Sequence, residues 1–224
     1  MAIVFFDFDS TVVSKETLDH AIAQVLHSHP ESTRMISEIE EITKLGMEGK
    51  LDFRESVKRR LATVPLSRTL LQETGEAMLH EITSDMQEVF SWLRNNGHEV
   101  NIVSGGFGEC IGPVAKKLGV ADKNVYTNSF VFSLEGIVVG VDETALLWTN
   151  EGKTPVLKKV RAEHPAQKIV MIGDGANDLK AWESGAADIF IGFGAHAVRE
   201  TVQRRAKHFV HSGKELLAVL QKVL

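Results

Sequence analysis

Asp7-Phe8-Asp9-Ser10-Thr11 places two carboxylates two residues apart, directly behind the apolar run Ile3-Val4-Phe5-Phe6. In an extended or turning backbone both acids can face one site. A surface turn is also rich in Asp and Ser. The preceding run, however, reads as buried right up to Asp7, where two carboxylates are costly unless a metal pairs with them. One such carboxylate can attack phosphorus to give an aspartyl-phosphate, and the other can protonate the leaving oxygen. A second group of hard oxygen donors, Gly173-Asp174-Gly175-Ala176-Asn177-Asp178, follows the apolar run Ile169–Ile172. It suits Mg²⁺, which takes few protein carboxylates beside waters and phosphate oxygens. The order of residues is neither a P-loop nor an EF-hand, and the third glycine of a dinucleotide fingerprint is missing, as it is in Gly192-Phe193-Gly194.

Two weaker features accompany these. Ser104-Gly105-Gly106-Phe107 offers a hydroxyl and exposed amides ahead of the helical stretch Glu109–Leu118, an arrangement that can hold an anion. It is not a nucleophile elbow, because Ile102 stands where that motif needs glycine. Lys153 precedes Thr154-Pro155, and Pro155 suits a first helical turn; taken alone, Lys153 reads as a solvated surface lysine.

The elements that must position these groups alternate. Continuous apolar runs at Ile3–Phe6, Val100–Val103, Ile169–Ile172 and Ile189–Ile191 read as strands buried on both faces. Helical patterns lie between them, one of them opened by Ser84 with Gln87 as a capping box and closed by Gly97. Alternation of this kind predicts an α/β fold with a parallel sheet flanked by helices. All four clusters then lie beyond the carboxyl ends of strands, where open α/β sheets bind ligands. Residues from about Ser14 to Ser84 carry only helical patterns and read as a cap over that edge. Val125 to Val141, split by Gly136, reads as a β-hairpin. The expected division is a core of residues 1–13 and 85–224 with a helical cap of residues 14–84.

Composition narrows the class. A chain of 224 residues, 43% hydrophobic and 25% charged, can fill a sizeable core. A formal charge of −5 weighs against nucleic acid as a partner. No apolar stretch approaches the ~20 residues of a membrane span, and Ala2–Phe6 is too short for a signal peptide's core. The single cysteine, Cys110, reads as a helix filler and fits a reducing compartment. A cytoplasmic enzyme is expected, with a possible homodimer through the cap or the hairpin edge.

In order and separation, D-x-D-x-T at Asp7–Thr11, then Ser104, then Lys153, then G-D-G-x-N-D at Gly173–Asp178 resemble the haloacid dehalogenase superfamily and its Rossmann-like sheet. Within it the chain resembles phosphoserine phosphatases over essentially its whole length, through those motifs and Glu16, Met47-Glu48-Gly49-Lys50 and Ile191-Gly192-Phe193-Gly194. The resemblance implies hydrolysis of O-phospho-L-serine, a step of serine biosynthesis, through a phospho-aspartyl intermediate. Asp7 would be the nucleophile and Asp9 the general acid and base. Mg²⁺ would be held by Asp7, the Asp9 backbone carbonyl and Asp174, supported by Asp178 and Asn177. Ser104, Gly105, Gly106 and Lys153 would hold the phosphate. Glu16 and Arg60 would meet the amino-acid part, with Met47 and Phe53 as walls and Arg199 nearby.

Helical geometry gives Arg60 independent support. At about 100° per residue it falls in register with Phe53 and beside Val57, whereas Lys58 and Arg59 rotate away, provided the helix runs unbroken from Asp52 to Val64. Alternatives are homoserine phosphotransfer, hydrolysis of phosphoethanolamine, phosphocholine or a phospho-sugar, and a non-catalytic binding protein, which should have lost Asp7, Asp9, Lys153 or Asp174.

Overall fold

The apolar run Ala2–Phe6 forms strand β1 and is buried along its whole length in the computed structural model, which describes residues 1–149 and 151–224. β1 is central in a six-stranded sheet. On one side lie β2 (Glu99–Phe107) and β3 (Val125–Asn128), and on the other β6 (Lys168–Gly173), β7 (Ile189–Phe193) and β8 (His208–Val210). Every pairing within it is parallel. The order reverses at β1, so the crevice beyond its carboxyl end is a topological switch point. Phe6 is in register with both Ile102 and Ile172, which brings the residues after all three strands to one edge.

Because successive strand residues point to opposite faces, β1 feeds two cores. Val4 and Phe6 pack with residues of α5 (Met86–Asn95), α6 (Gly108–Lys117) and α10 (Gly213–Val223); Ile3 and Phe5 pack with α7 (Thr154–Glu163), α8 (Ala176–Glu183) and α9 (Glu200–Arg205). Full burial of each such aliphatic or aromatic side chain contributes about 1.5–3 kcal/mol.

Two expectations are corrected here. Only β4 (Phe130–Phe132) and β5 (Val138–Val141) form the antiparallel hairpin, and Val125–Asn128 instead extends the main sheet. Ser84 does not cap α5: Asp85 holds the N-cap position at φ 66° without a side-chain bond. The start of α10 explains this, since Gly213 sits so close to the Ser84 carbonyl and Asp85 that no Cβ would fit there.

Between β1 and β2 the chain is helical. A wide turn at Phe8–Val12 leads to α1 (Thr17–Leu26), α2 (Ser32–Met47), α3 (Phe53–Leu61) and α4 (Arg68–Ala77). Their inner faces share a third core, with Leu18, Ile22, Ile39, Val57 and Leu71 packed on Phe107, Phe130 and Trp148. The segment leaves and re-enters the sheet region through paired chains. Ser14 N–H donates to the Glu81 carbonyl at 2.8 Å and Thr83 N–H to that of Val12 at 2.9 Å. α3 stops at Leu61, short of Val64, yet still includes Arg60, which is buried while Lys58 and Arg59 are exposed.

Candidate active site

Asp7 is fixed from both sides. Its backbone N–H donates to the Ile172 carbonyl at 2.8 Å, and its Oδ1 accepts from Phe8 N–H at 2.7 Å. The chain then turns sharply, with Ser10 at φ 54°, a left-handed conformation uncommon outside glycine. That turn lets Ser10 donate its hydroxyl to Glu16 Oε1 at 2.8 Å. It also brings Asp9 beneath the start of α1, where Thr17 donates its N–H at 3.1 Å and its hydroxyl at 3.3 Å to the Asp9 carboxylate.

Lys153 enters between two acids. Its ammonium pairs with Asp7 Oδ1 at 2.6 Å and with Asp178 Oδ1, and its side chain is only 6% exposed. The reading of Lys153 as surface, made from its local sequence alone, is therefore overturned. Asp178 folds back to accept from Gly175 N–H at 2.9 Å, and Gly173 lies so close that a Cβ there would overlap the Asp178 carboxylate. Across the crevice, Ser104 Oγ accepts from Gly106 N–H at 2.9 Å. Ser104–Gly106 are the irregular end of β2 rather than a loop beyond it; the buried Asn128 donates to the Gly105 carbonyl at 2.8 Å, holding this stretch to β3, and the Phe53 ring rests against Gly105.

These groups line one cavity: Asp7, Asp9, Glu16, Met47, Phe53, Arg60, Ser104, Gly105, Gly106, Lys153, Asn177 and Asp178 all face it. Asp174 and Arg199 lie behind that wall. Arg199 donates through Nε to Asp174 Oδ2 at 2.9 Å and stands 3.8 Å from Glu16, so it is neither an exposed helical arginine nor in the cavity lining.

The electrostatics are those of acids crowded out of water. Burial, then Glu16 and Asp7, pushes the Asp9 carboxyl well above its usual range. Burial does the same to Asp174, opposed by Arg199 and reinforced by Asp7, Glu16 and Asp178. Asp178 is raised by burial against the pull of Lys153, and Lys153 is held charged by its two acids in spite of its burial. One oxygen from each of Asp7, Asp174 and Asp178 lies within 4.8 Å of the others. Three buried hard donors of like charge this close together fit a divalent cation, which would supply the missing positive charge.

A sequence profile of the haloacid dehalogenase-like hydrolases matches residues 4–183. The chain belongs to that family. It is 33% identical to human phosphoserine phosphatase, over 98% of this chain and 93% of the relative. Among solved structures, a phosphoserine phosphohydrolase-like protein from Francisella tularensis superposes with a TM-score of 0.89 at 29% identity, covering 98% of this chain and 100% of the other. A phospho-aspartyl intermediate analogue of phosphoserine phosphatase gives a TM-score of 0.81 at 25% identity, covering 100% and 99%.

Within this hydrolase frame several site residues escaped the sequence reading. Thr17 binds Asp9, Asn128 holds Gly105, and Thr11 Oγ1 reaches Asp174 Oδ1 at 3.5 Å. Thr11 already stood in the first motif and Thr17 beside Glu16, but nothing local marks Asn128. The largest surprise concerns Arg60. Its Nη1 donates to Asp19 at 2.9 Å and its Nε to the Ser56 carbonyl at 3.3 Å, so the cation expected to await a substrate carboxylate already has a protein partner.

Proposed function

We propose that the chain hydrolyses O-phospho-L-serine to L-serine and phosphate through a phosphorylated Asp7. The observation that carries this reading is the cavity in which the Asp7–Lys153 pair and Ser104–Gly106 at the end of β2 face Glu16 and Arg60. It is supported by the chain's similarity to phosphoserine phosphatases along nearly its whole length. Residues 14–84 act as the cap that selects the ester.

Ser104 and the Gly105 amide bind the phosphate oxygens, Gly106 N–H holds the Ser104 hydroxyl in place, and Lys153 offsets charge on both Asp7 and the phosphate. The Asp7 carboxylate attacks phosphorus in line. The bond from phosphorus to the serine oxygen breaks, and Asp9 donates its proton to that oxygen. The raised Asp9 pKa keeps that proton available nearer neutral pH. Asp9, now ionised, takes a proton from a water molecule as the water oxygen attacks phosphorus; the bond from phosphorus to the Asp7 oxygen breaks, which releases phosphate and returns Asp7 as a carboxylate and Asp9 as an acid. Mg²⁺ is the proposed cofactor: when bound it offsets the mutual repulsion of anionic nucleophile and anionic substrate, with Asp7, Asp174 and the Asp9 carbonyl as its ligands and Asp178 and Asn177 in support.

The test is phosphate release from a panel of esters with magnesium present. O-Phospho-L-serine should show the highest kcat/KM. A higher value for phosphocholine or phosphoethanolamine would replace this reading with that of an enzyme for esters lacking a carboxylate.

The metal has its own readout. Asp9, Asp174 and Asp178 have raised pKa values when folded. Their stabilising contribution is complete below the unfolded carboxylate value of about 4 and is lost as pH rises through the folded values. The metal-free protein should therefore unfold at lower temperature at pH 8 than at pH 5, and magnesium should raise Tm more at pH 8. In Asp174→Asn the magnesium-dependent rise should shrink; an undiminished rise would remove Asp174 from the proposed ligands.

The cytoplasm is the proposed location. Among the described residues no helix is long and apolar enough to cross a membrane, and Cys110 is free and buried. Neither nucleic acid nor a lipid surface is a proposed partner, in keeping with the formal charge of −5. The hairpin, where Val131 is 45% and Val139 65% exposed, is the proposed site for a homodimer.

A further inference from the structure

We propose that Asp19 is a positioning residue that fixes the orientation of Arg60 and so confers the preference for esters bearing a carboxylate. The inference rests on the reading above, in which Arg60 meets the carboxylate of the substrate.

Arg60 is carried by α3 and lines the cavity, whereas Asp19 sits in the first turn of α1 and borders a separate groove on its far side, with Ser14, Lys15 and His20. The two side chains are 10% and 14% exposed and 2.9 Å apart. A guanidinium carries five N–H donors in a rigid fork. One is taken by Asp19 and one by the Ser56 carbonyl, which leaves three for a ligand in the cavity and fixes the plane from which they are offered. A group held in this way loses little further freedom when a carboxylate arrives.

Charge matters as much as direction. An unpaired guanidinium buried in the cavity would be costly, and an alternative anion lining the same cavity is Glu16, whose carboxyl is raised by burial and by Asp19 and pulled down in part by Arg60. Without the Asp19 charge, Arg60 is drawn toward Glu16. That contact would occupy both the cation meant for the carboxylate of the ligand and the anion meant for its ammonium. Asp19 thus keeps the two recognition charges apart, although it does not itself line the cavity.

The experiment compares Asp19→Asn with the wild-type chain in the presence of magnesium, on O-phospho-L-serine and on phosphoethanolamine, which keeps the ammonium and lacks the carboxylate. For O-phospho-L-serine, KM should rise about 10-fold while kcat stays within about 2-fold, the pattern of lost uniform binding. For phosphoethanolamine, which loses only its ammonium partner, kcat/KM should fall by no more than about 3-fold. In an Arg60→Ala background, adding Asp19→Asn should change KM for O-phospho-L-serine by less than about 2-fold, since the two residues act as one unit. Equal losses on both esters would assign Asp19 a structural role and overturn the proposal, as would an unchanged KM for O-phospho-L-serine; a destabilised variant can still be judged by this ratio. Failure of the underlying reading looks different, because the wild-type chain would then fail to prefer O-phospho-L-serine.

Discussion

Asp7→Asn should lower kcat for phosphate release about 1,000-fold or more, as loss of a nucleophile does in enzymes of covalent mechanism, while leaving the protein as stable as before or more so. An amide keeps the shape of the side chain and its oxygen. That oxygen can still accept from Phe8 N–H and from Lys153, the two bonds Asp7 Oδ1 makes now. What disappears is the charge, and with it the attack on phosphorus. The same charge raises the pKa of Asp9, Asp174 and Asp178, so its removal relieves repulsion among buried acids. Tm measured without metal should accordingly not fall. Acid quenching of the wild-type enzyme during turnover of a phosphate-labelled substrate should leave label on the protein, and the variant should carry none. Retained turnover in Asp7→Asn would remove Asp7 from the role of nucleophile.

How much of this site could be read in advance depended on what each residue's neighbours in the sequence reveal. Asp7 and Asp174 were legible because each follows an apolar run, and a carboxylate at the end of a buried strand needs an explanation. The parallel sheet was legible for the same reason: β1 and β7 are apolar throughout, and β6 is apolar after its first residue, Lys168. The edge strands β3 and β8 were not, since His208-Phe209-Val210 is three residues long and only Val210 is fully buried. Lys153 gave no local sign of burial, because its two partners are 146 and 25 residues away in the chain. Arg60 could be turned inward by helical phase alone, yet the same phase says nothing about Asp19, which belongs to a different helix and meets it only through tertiary packing. Arg199 is the converse case: its sequence suits an exposed helix start, and its pairing with Asp174 follows from where β7 delivers the chain. What sequence pattern conveys well is a residue's distance from water. It conveys much less about which opposite charge that residue will find there.

Lys153→Met should be the most destabilising substitution in the site. Breaking a buried ion pair by removing one partner costs about 3–5 kcal/mol, because the remaining charge is left buried and unpaired. Here two carboxylates, Asp7 and Asp178, lose the same cation. For a chain of this size the cost corresponds to a fall in Tm of about 6–20 °C without metal. The deficit should grow with pH above about 4, where the uncompensated acids are forced to ionise or remain protonated at a cost, and magnesium should recover part of it. Activity should fall by about 100-fold or more, as on loss of a positioned charge at a transition state. Stability and catalysis can then be separated with a second change. Adding Asp178→Asn removes one of the two stranded carboxylates while keeping an oxygen to accept from Gly175 N–H, so the double variant should regain several degrees of Tm over Lys153→Met. It should regain none of the lost kcat, since the positive charge between Asp7 and the phosphate is still absent. Recovery of both together would mean that Lys153 serves the fold alone; recovery of Tm without kcat places its charge in the reaction as well as in the core.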